Sequence, residues 1–269
     1  MIRAAFNKLR IYKELPMRQL SDSAATQKFE NQQIAPVVYQ TWEDRYFGKT
    51  HLQQIAYFKA LNPDLDFKLF DGVQREAYMR EHWGGHPIFS IYMHSQFGPM
   101  KADIFRYCLL YERGGFYFDI SKGCNVALST FLKKDSTALI TVESHDCFIP
   151  PNPILSERMQ HPDKQVLQWG MGFAQGHPIL LRMIDNICLH YPLFKNTIFA
   201  NPKNAIVRFT GPGMFTKSVR EYFEERADES VAQAGIDFNG MGIFALKGSW
   251  ARYSRVPFYG ESRHQPIVL

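Results

Sequence analysis

Residues 101–121 read KADIFRYCLLYERGGFYFDIS, and this stretch decides the fold. With Pro99 suited to a first turn, residues 99–113 predict a helix whose apolar stripe is Ile104, Phe105, Cys108 and Leu109. Gly114 and Gly115 supply its stop. Residues 116–120 then read as a buried strand. Helix, Gly-Gly and apolar strand in that order are what an α/β sheet requires. Two acids and a base stand out. Asp103 and Arg106 are three residues apart and share the helix face away from the stripe. Asp119 falls at the C-terminal end of the strand, the edge where open α/β sheets bind ligands. Read alone, Asp103 and Arg106 also suit a surface ion pair, and Asp119 also suits a loop cap.

Working outward, residues 37–39 form a short apolar strand that runs into Gln40-Thr41-Trp42. Residues 50–61 predict a helix stopped by Asn62 and Pro63, and residues 67–70 a second strand before the Asp71-Gly72 turn. Beyond the deciding stretch, residues 137–142 read as a strand and 177–191 as a helix. Residues 205–209 read as a strand entering the turn Thr210-Gly211-Pro212-Gly213, followed by a helix over 213–225. A last strand over 243–246 leads to Gly248-Ser249-Trp250. The alternation predicts an α/β fold, with one mostly parallel sheet and helices on both faces. Residues 34–269 are expected to form a single domain. Residues 1–33 divide into a basic helix and the polar linker of residues 19–33.

The chain has 269 residues, 45% apolar and 21% charged, the balance of a globular enzyme. Its net charge of +5 favours anionic ligands or an acidic membrane surface. The basic residues make no dense stripe, which argues against nucleic acid as a partner. Cys108, Cys124, Cys147 and Cys188 make no C-x-x-C pair, so a structural zinc site is not expected, and all four read as reduced thiols of a cytoplasmic protein. The N-terminus lacks a signal-peptide apolar core. It mixes Arg3, Lys8, Arg10, Lys13 and Arg18 with Ile2, Phe6, Leu9, Ile11 and Leu15, a pattern open to peripheral contact with the inner face of a membrane or to an ordinary surface helix.

The central pattern, Ala102-Asp103-x-x-Arg106-Tyr107 and then Gly114-Gly115-x-Tyr117-x-Asp119, resembles the sugar-binding region of glycosyltransferase family 32, the DXD-containing sugar transferases. That family includes fungal mannosyltransferases and bacterial capsule enzymes, and it is similar to the catalytic domain of the large glucosylating toxins. Further matching pieces occur in order at Gln40-Thr41-Trp42, Asn62-Pro63-Asp64, Gly176-His177-Pro178, Thr210-Gly211-Pro212-Gly213 and Gly248-Ser249-Trp250.

The resemblance implies a GT-A type nucleotide-sugar-binding fold, a UDP- or GDP-sugar donor, and retention of anomeric configuration. The expected acceptor is a hydroxyl of a glycan or glycolipid, with a lipid-linked glycan, a capsule or lipopolysaccharide intermediate and a protein all open. By motif, Asp103 and Arg106 would contact hydroxyls of the donor sugar, and Asp119 the ribose and the metal-diphosphate unit. Tyr39, Gln40, Trp42, Gly115, Tyr117, Ser121, Gly211, Ser249 and Trp250 complete the expected donor site. Trp42 is placed to stack on the base, although a ring there serves equally as a core lid. The implied cofactor is a divalent cation, manganese or magnesium, held by Asp119. The sequence departs from the family here, because the triplet is Asp119-Ile120-Ser121 and a neutral hydroxyl replaces the second acid. Lys122 is an alternative counter-charge for the diphosphate, and His264 is a further candidate ligand near the C-terminus. Ser121 also keeps open a second reading, a non-catalytic protein that binds nucleotide sugar or carbohydrate and derives from such an enzyme.

Overall fold

In the computed structural model, which describes residues 11–256 and 259–269, the chain first builds a parallel half of a sheet. It runs β1 (Val37–Thr41), α1 (Lys49–Leu61), β2 (Asp66–Phe70), α2 (Gly72–Trp83), α3 (Pro87–His94), α4 (Gly98–Arg113) and β3 (Gly115–Phe118). It continues through β4 (Ala138–Asp146), β5 (Lys164–Val166), β6 (Gly170–Phe173), α5 (Pro178–Phe194), α6 (Pro202–Phe209), α7 (Pro212–Glu225) and β7 (Val231–Ile236). The sheet order is β7-β4-β6-β3-β1-β2, with β5 beside β4. Strands β1, β2, β3, β4 and β7 run one way, and β5 and β6 run against them. The fold is therefore a mostly parallel α/β sheet with helices on its faces, the arrangement that the resemblance to a GT-A type fold implies.

Alternation along the strands sorts the core into two layers. Tyr39 and Tyr117, paired in register, face the side covered by α4, with Ile104, Phe105 and Cys108. Val38, Phe116 and Phe118 face the other side and pack with Phe58 of α1 and Phe67. Strand β6 reads Gly-Met-Gly-Phe, and its two glycines lie opposite Phe118 and Phe116. A Cβ on Gly172 would meet the Phe116 ring at 2.5 Å, and one on Gly170 would meet the Phe118 ring at 2.8 Å. The strand is thus shaped to its neighbour's aromatics and carries no apolar run of its own.

Two sequence expectations change. Residues 205–209 are the end of helix α6, and not a strand. Asn201 caps the helix by accepting from the Asn204 amide, Pro202 occupies its first turn, and Ala205, Ile206 and Phe209 form one buried face. The expected strand over 243–246 contracts to Gly242–Ile243, which pairs with Gly123–Cys124 outside the main sheet.

At the other end, Ile2, Arg3, Phe6, Lys8, Leu9 and Arg10 lie outside the described residues. The polar segment that follows is bound along the domain. Arg18–Gln19 pairs with Tyr46–Phe47, and Ser23 exchanges backbone hydrogen bonds of 3.0 and 2.8 Å with Phe67 on the edge strand β2. That covers an otherwise open row of donors and acceptors. No helix among the described residues is long and apolar enough to cross a membrane.

Candidate active site

Helix α4 reverses into β3 at Gly114 and Gly115, with φ of +63° and +104°. These are left-handed values that glycine adopts without strain. The reversal lays α4 against the strand and brings Arg106 beside Asp119. Arg106 Nη2 lies 3.0 Å from Asp103 Oδ1 and 3.1 Å from Asp119 Oδ1, and Nη1 donates to the Gln168 carbonyl at 2.9 Å. The guanidinium also sits 4.4 Å from the centre of the Tyr117 ring. Asp103 and Arg106 are both buried, so the alternative of a surface ion pair does not hold and the two form an internal brace.

Asp103 is further held by Gln168 Nε2, which donates to Oδ1 at 2.6 Å, and by Thr210 Oγ1, which donates to Oδ2 at 3.0 Å. Tyr107 completes the support with its single hydroxyl proton, shared between Gln168 Oε1 at 2.7 Å and the Thr210 carbonyl at 3.0 Å. Burial pushes the Asp103 carboxyl up to about 7, against the opposing pull of Arg106, Thr210 and Gln168. Burial alone lowers Arg106, but Tyr117, Asp119 and Asp103 outweigh it and hold the guanidinium charged.

Asp119 differs from Asp103 in being a third exposed, at 33% for the side chain. Its Oδ1 accepts from Arg106 and from the Tyr117 hydroxyl at 3.1 Å, while its Oδ2 has no hydrogen-bond partner among the described residues. The Asp119 amide is pinned to the Trp169 carbonyl at 2.8 Å. One oxygen is anchored and the other faces a cavity of about 1530 Å³ at the C-terminal ends of β1 and β3. Trp42, Asp103, Arg106, Tyr117, Asp119, Ser121, Gly211, Ser249 and Trp250 all line this cavity, as does Lys122.

The remaining expected residues do not reach it. Tyr39 is buried against α4, where burial raises its phenol pKa, and Gln40 is buried within β1. Gly115 begins β3, at the opposite end from Asp119, and a Cβ there would meet Val37 at 2.9 Å. Its conformation, rather than a ligand, explains the glycine. His264 lies exposed in the C-terminal segment, outside the cavity lining.

The implied cation finds little to hold it. Ser121 offers a hydroxyl in place of a second acid, and one Asp119 oxygen already serves Arg106 and Tyr117. Among the described residues, no cluster of three or more His, Cys, Asp or Glu side chains forms a metal site. The charged residues that line the cavity are seven bases and four acids, a formal excess of three positive charges.

Sequence reading assigned no role to three participants, although Thr210 stood in the quoted Thr210-Gly211-Pro212-Gly213 turn. Gln168 and Thr210 hold Asp103 from below, and no local pattern marks Gln168. The third is Arg252, three residues after Ser249 and buried in the cavity wall. Its guanidinium lies 4.9 Å from the Trp42 ring and 4.2 Å from the Tyr253 ring. The nearby Ser249-Trp250 motif was the available signal.

Comparisons with known proteins bear on the same stretch of chain. The family described as glycosyltransferase sugar-binding region containing DXD motif matches residues 48–138, the stretch that carries Asp103, Arg106, Asp119 and Ser121. An initiation-specific alpha-1,6-mannosyltransferase of Schizosaccharomyces pombe is 23% identical over 198 residues, covering 70% of this chain and 48% of that protein. Its Candida albicans counterpart is 26% identical over 204 residues, covering 69% and 52%. Inositol phosphoceramide mannosyltransferase 3 of Schizosaccharomyces pombe is 26% identical over 156 residues, covering 57% and 37%. The chain thus spans about half the length of the first two relatives or less of the third. Among solved structures, PaToxG Glycosyltransferase shares the fold with a TM-score of 0.50 and 13% identity, over 82% of this chain and 77% of that one. Residues 48–138 therefore match a glycosyltransferase sugar-binding region, and over about 70% of its length the chain is similar to fungal mannosyltransferases, as the resemblance to DXD-containing sugar transferases implies.

Proposed function

We propose that this chain transfers a hexose from a nucleoside-diphosphate sugar to a hydroxyl of a glycan or glycolipid acceptor, with retention of configuration. The observation that carries the reading is the braced acid pair. Arg106 ties Asp103 and Asp119 together at the cavity floor and leaves Asp119 Oδ2 open. A fixed carboxylate accepts strong, charge-assisted hydrogen bonds from ribose or sugar hydroxyls. Arg106 spends its fork on Asp103, Asp119 and Gln168, so its part is to hold the carboxylates and not to grip the sugar.

Trp42, half-buried at the end of β1, offers an aromatic face for the base. Basic groups around Asp119 stabilise the departing diphosphate electrostatically. Ser249, Trp250, Arg252, Tyr253 and Val256 form one wall of the cavity, and water kept out on that side would limit loss of the donor by hydrolysis. The mannosyltransferases among the relatives support mannose as the sugar, and the inositol phosphoceramide enzyme supports a lipid-borne acceptor.

The test is slow donor hydrolysis and thermal shift across UDP- and GDP-sugars, for wild type and Asp119→Ala. One donor is expected to raise the melting temperature and to be hydrolysed, and the variant to lose both effects. A panel in which no donor binds would overturn the reading. Ser121 favours a second reading, a protein that binds donor without turnover. Binding without hydrolysis or transfer to any acceptor tested would select it.

A further inference from the structure

We propose that the donor's diphosphate is neutralised by this chain's own side chains, chiefly Arg252 with Lys122, and that donor binding needs no divalent cation. The inference rests on the sugar-transfer reading above and concerns how that site holds its anion.

Arg252 is only 8% exposed, and no carboxylate forms a salt bridge with it among the described residues. An isolated buried charge is costly, and such groups are ordinarily paired. A guanidinium has five N–H donors. Here Nη1 donates to the Ser249 carbonyl and Nη2 to the Tyr253 hydroxyl. The buried Nε has no partner among the described residues, and each Nη carries a second N–H beyond these bonds, in a side chain that lines the cavity. The rings of Trp42 and Tyr253 fix the plane of the fork, and Asp119 is near enough to act on its charge.

Burial lowers the Arg252 pKa, with Tyr253 and Asp119 opposing. An incoming anion relieves that cost. Lys122, in the turn that Asp119 opens, lies over the Phe244 ring at 3.3 Å and lines the same cavity. Burial and the neighbouring Arg252 lower its pKa against the pull of Asp119, Glu143 and Asp237, and those three acids already share its charge, which makes it the lesser contributor. A second acid at position 121 would draw a cation to this place. The serine found there instead leaves the excess of basic groups to face the doubly negative diphosphate.

The experiment is calorimetric titration of the full chain with GDP and with UDP, in chelator and in excess manganese. The preferred nucleotide is expected to bind in chelator within about threefold of its affinity in manganese. Arg252→Gln is expected to weaken binding in chelator about 10- to 100-fold, the loss of a hydrogen-bonded charge. Arg252→Lys, which keeps the charge, is expected to recover part of it, with melting curves confirming that both variants fold. Ser121→Asp is expected to make binding respond to manganese. Wild-type binding that requires manganese would overturn the inference and leave the transferase reading standing. So would an Arg252→Gln variant that folds and binds as wild type does. If neither nucleotide binds in either buffer, the transferase reading falls and takes the inference with it.

Discussion

Replacing Arg106 by methionine removes the one cation among the described residues that touches both Asp103 and Asp119, and the size of the loss follows from their burial. Asp103 and Arg106 are 4% and 3% exposed, so the variant leaves a carboxylate buried without its counter-charge. Breaking a buried pair in this way costs about 3–5 kcal/mol. At about 2–4 °C per kcal/mol for a domain of this size, the melting temperature should fall by roughly 10 °C. The pH dependence is more specific. Burial already raises the wild-type Asp103 pKa to about 7, against the pull of Arg106, so without Arg106 it rises further. A carboxyl raised above its unfolded value binds its proton in the folded state first, so folding gains stability as pH falls through the folded pKa. The variant begins to gain above pH 7, whereas wild type gains only from about 7 downward. The deficit should therefore shrink between about pH 9 and pH 7, by up to about 2–3 kcal/mol at 1.36 kcal/mol per pH unit, and stay level below. Thermal or urea unfolding of both proteins at pH 9, 8, 7 and 6 measures this. A deficit below about 1 kcal/mol, or one that stays constant or grows on acidification, would refute Arg106 as the brace of a buried acid pair.

Three further outcomes follow from the same geometry. Gly115→Ala places a Cβ 2.9 Å from Val37 at φ +104°, so it should cost about 1–3 kcal/mol in unfolding experiments, with nucleotide affinity of the folded fraction unchanged. Trp42→Ala should weaken nucleotide binding about 5- to 100-fold in calorimetry if its face stacks on the base, with a smaller change for a nucleotide-free sugar. Gln168→Leu removes the 2.6 Å donor to Asp103, so unfolding stability should drop by about 1–3 kcal/mol, while Tyr107 keeps its bond to the Thr210 carbonyl.

The parts of the fold that were legible are those whose stability is written locally. Helix α4 announces itself by Pro99, its apolar stripe and the Gly114-Gly115 stop, and the structure places it at Gly98–Arg113. Strand β6 was illegible because Gly170 and Gly172 exist to make room for Phe116 and Phe118 on another strand. Nothing in Gly-Met-Gly-Phe itself says strand. Residues 205–209 fail for a different reason, because a short apolar run suits strand or helix equally. The cap at Asn201 and the buried face of Ala205, Ile206 and Phe209 decide for helix. Arg252 acquires meaning only from Trp42 and Tyr253, one of them 210 residues away in the chain.

The central pairing of Arg106 with Asp119 belongs between these cases, since its spacing has a metric explanation. From Gly114 back to Arg106 is eight residues of helix, about 12 Å at 1.5 Å per residue. From Gly115 forward to Asp119 is four residues of strand, about 13 Å at 3.3 Å per residue. Once the two glycines reverse the chain, base and acid come level on adjacent elements, as the 3.1 Å contact shows. Asp103 lies three residues further along α4 on the same face, so it reaches the same guanidinium from the other side. The pattern of two acids, one arginine and two glycines is thus a statement of length as well as chemistry. Inserting one residue between Gly115 and Asp119 would both overshoot Arg106 and turn the carboxylate to the other face of the sheet.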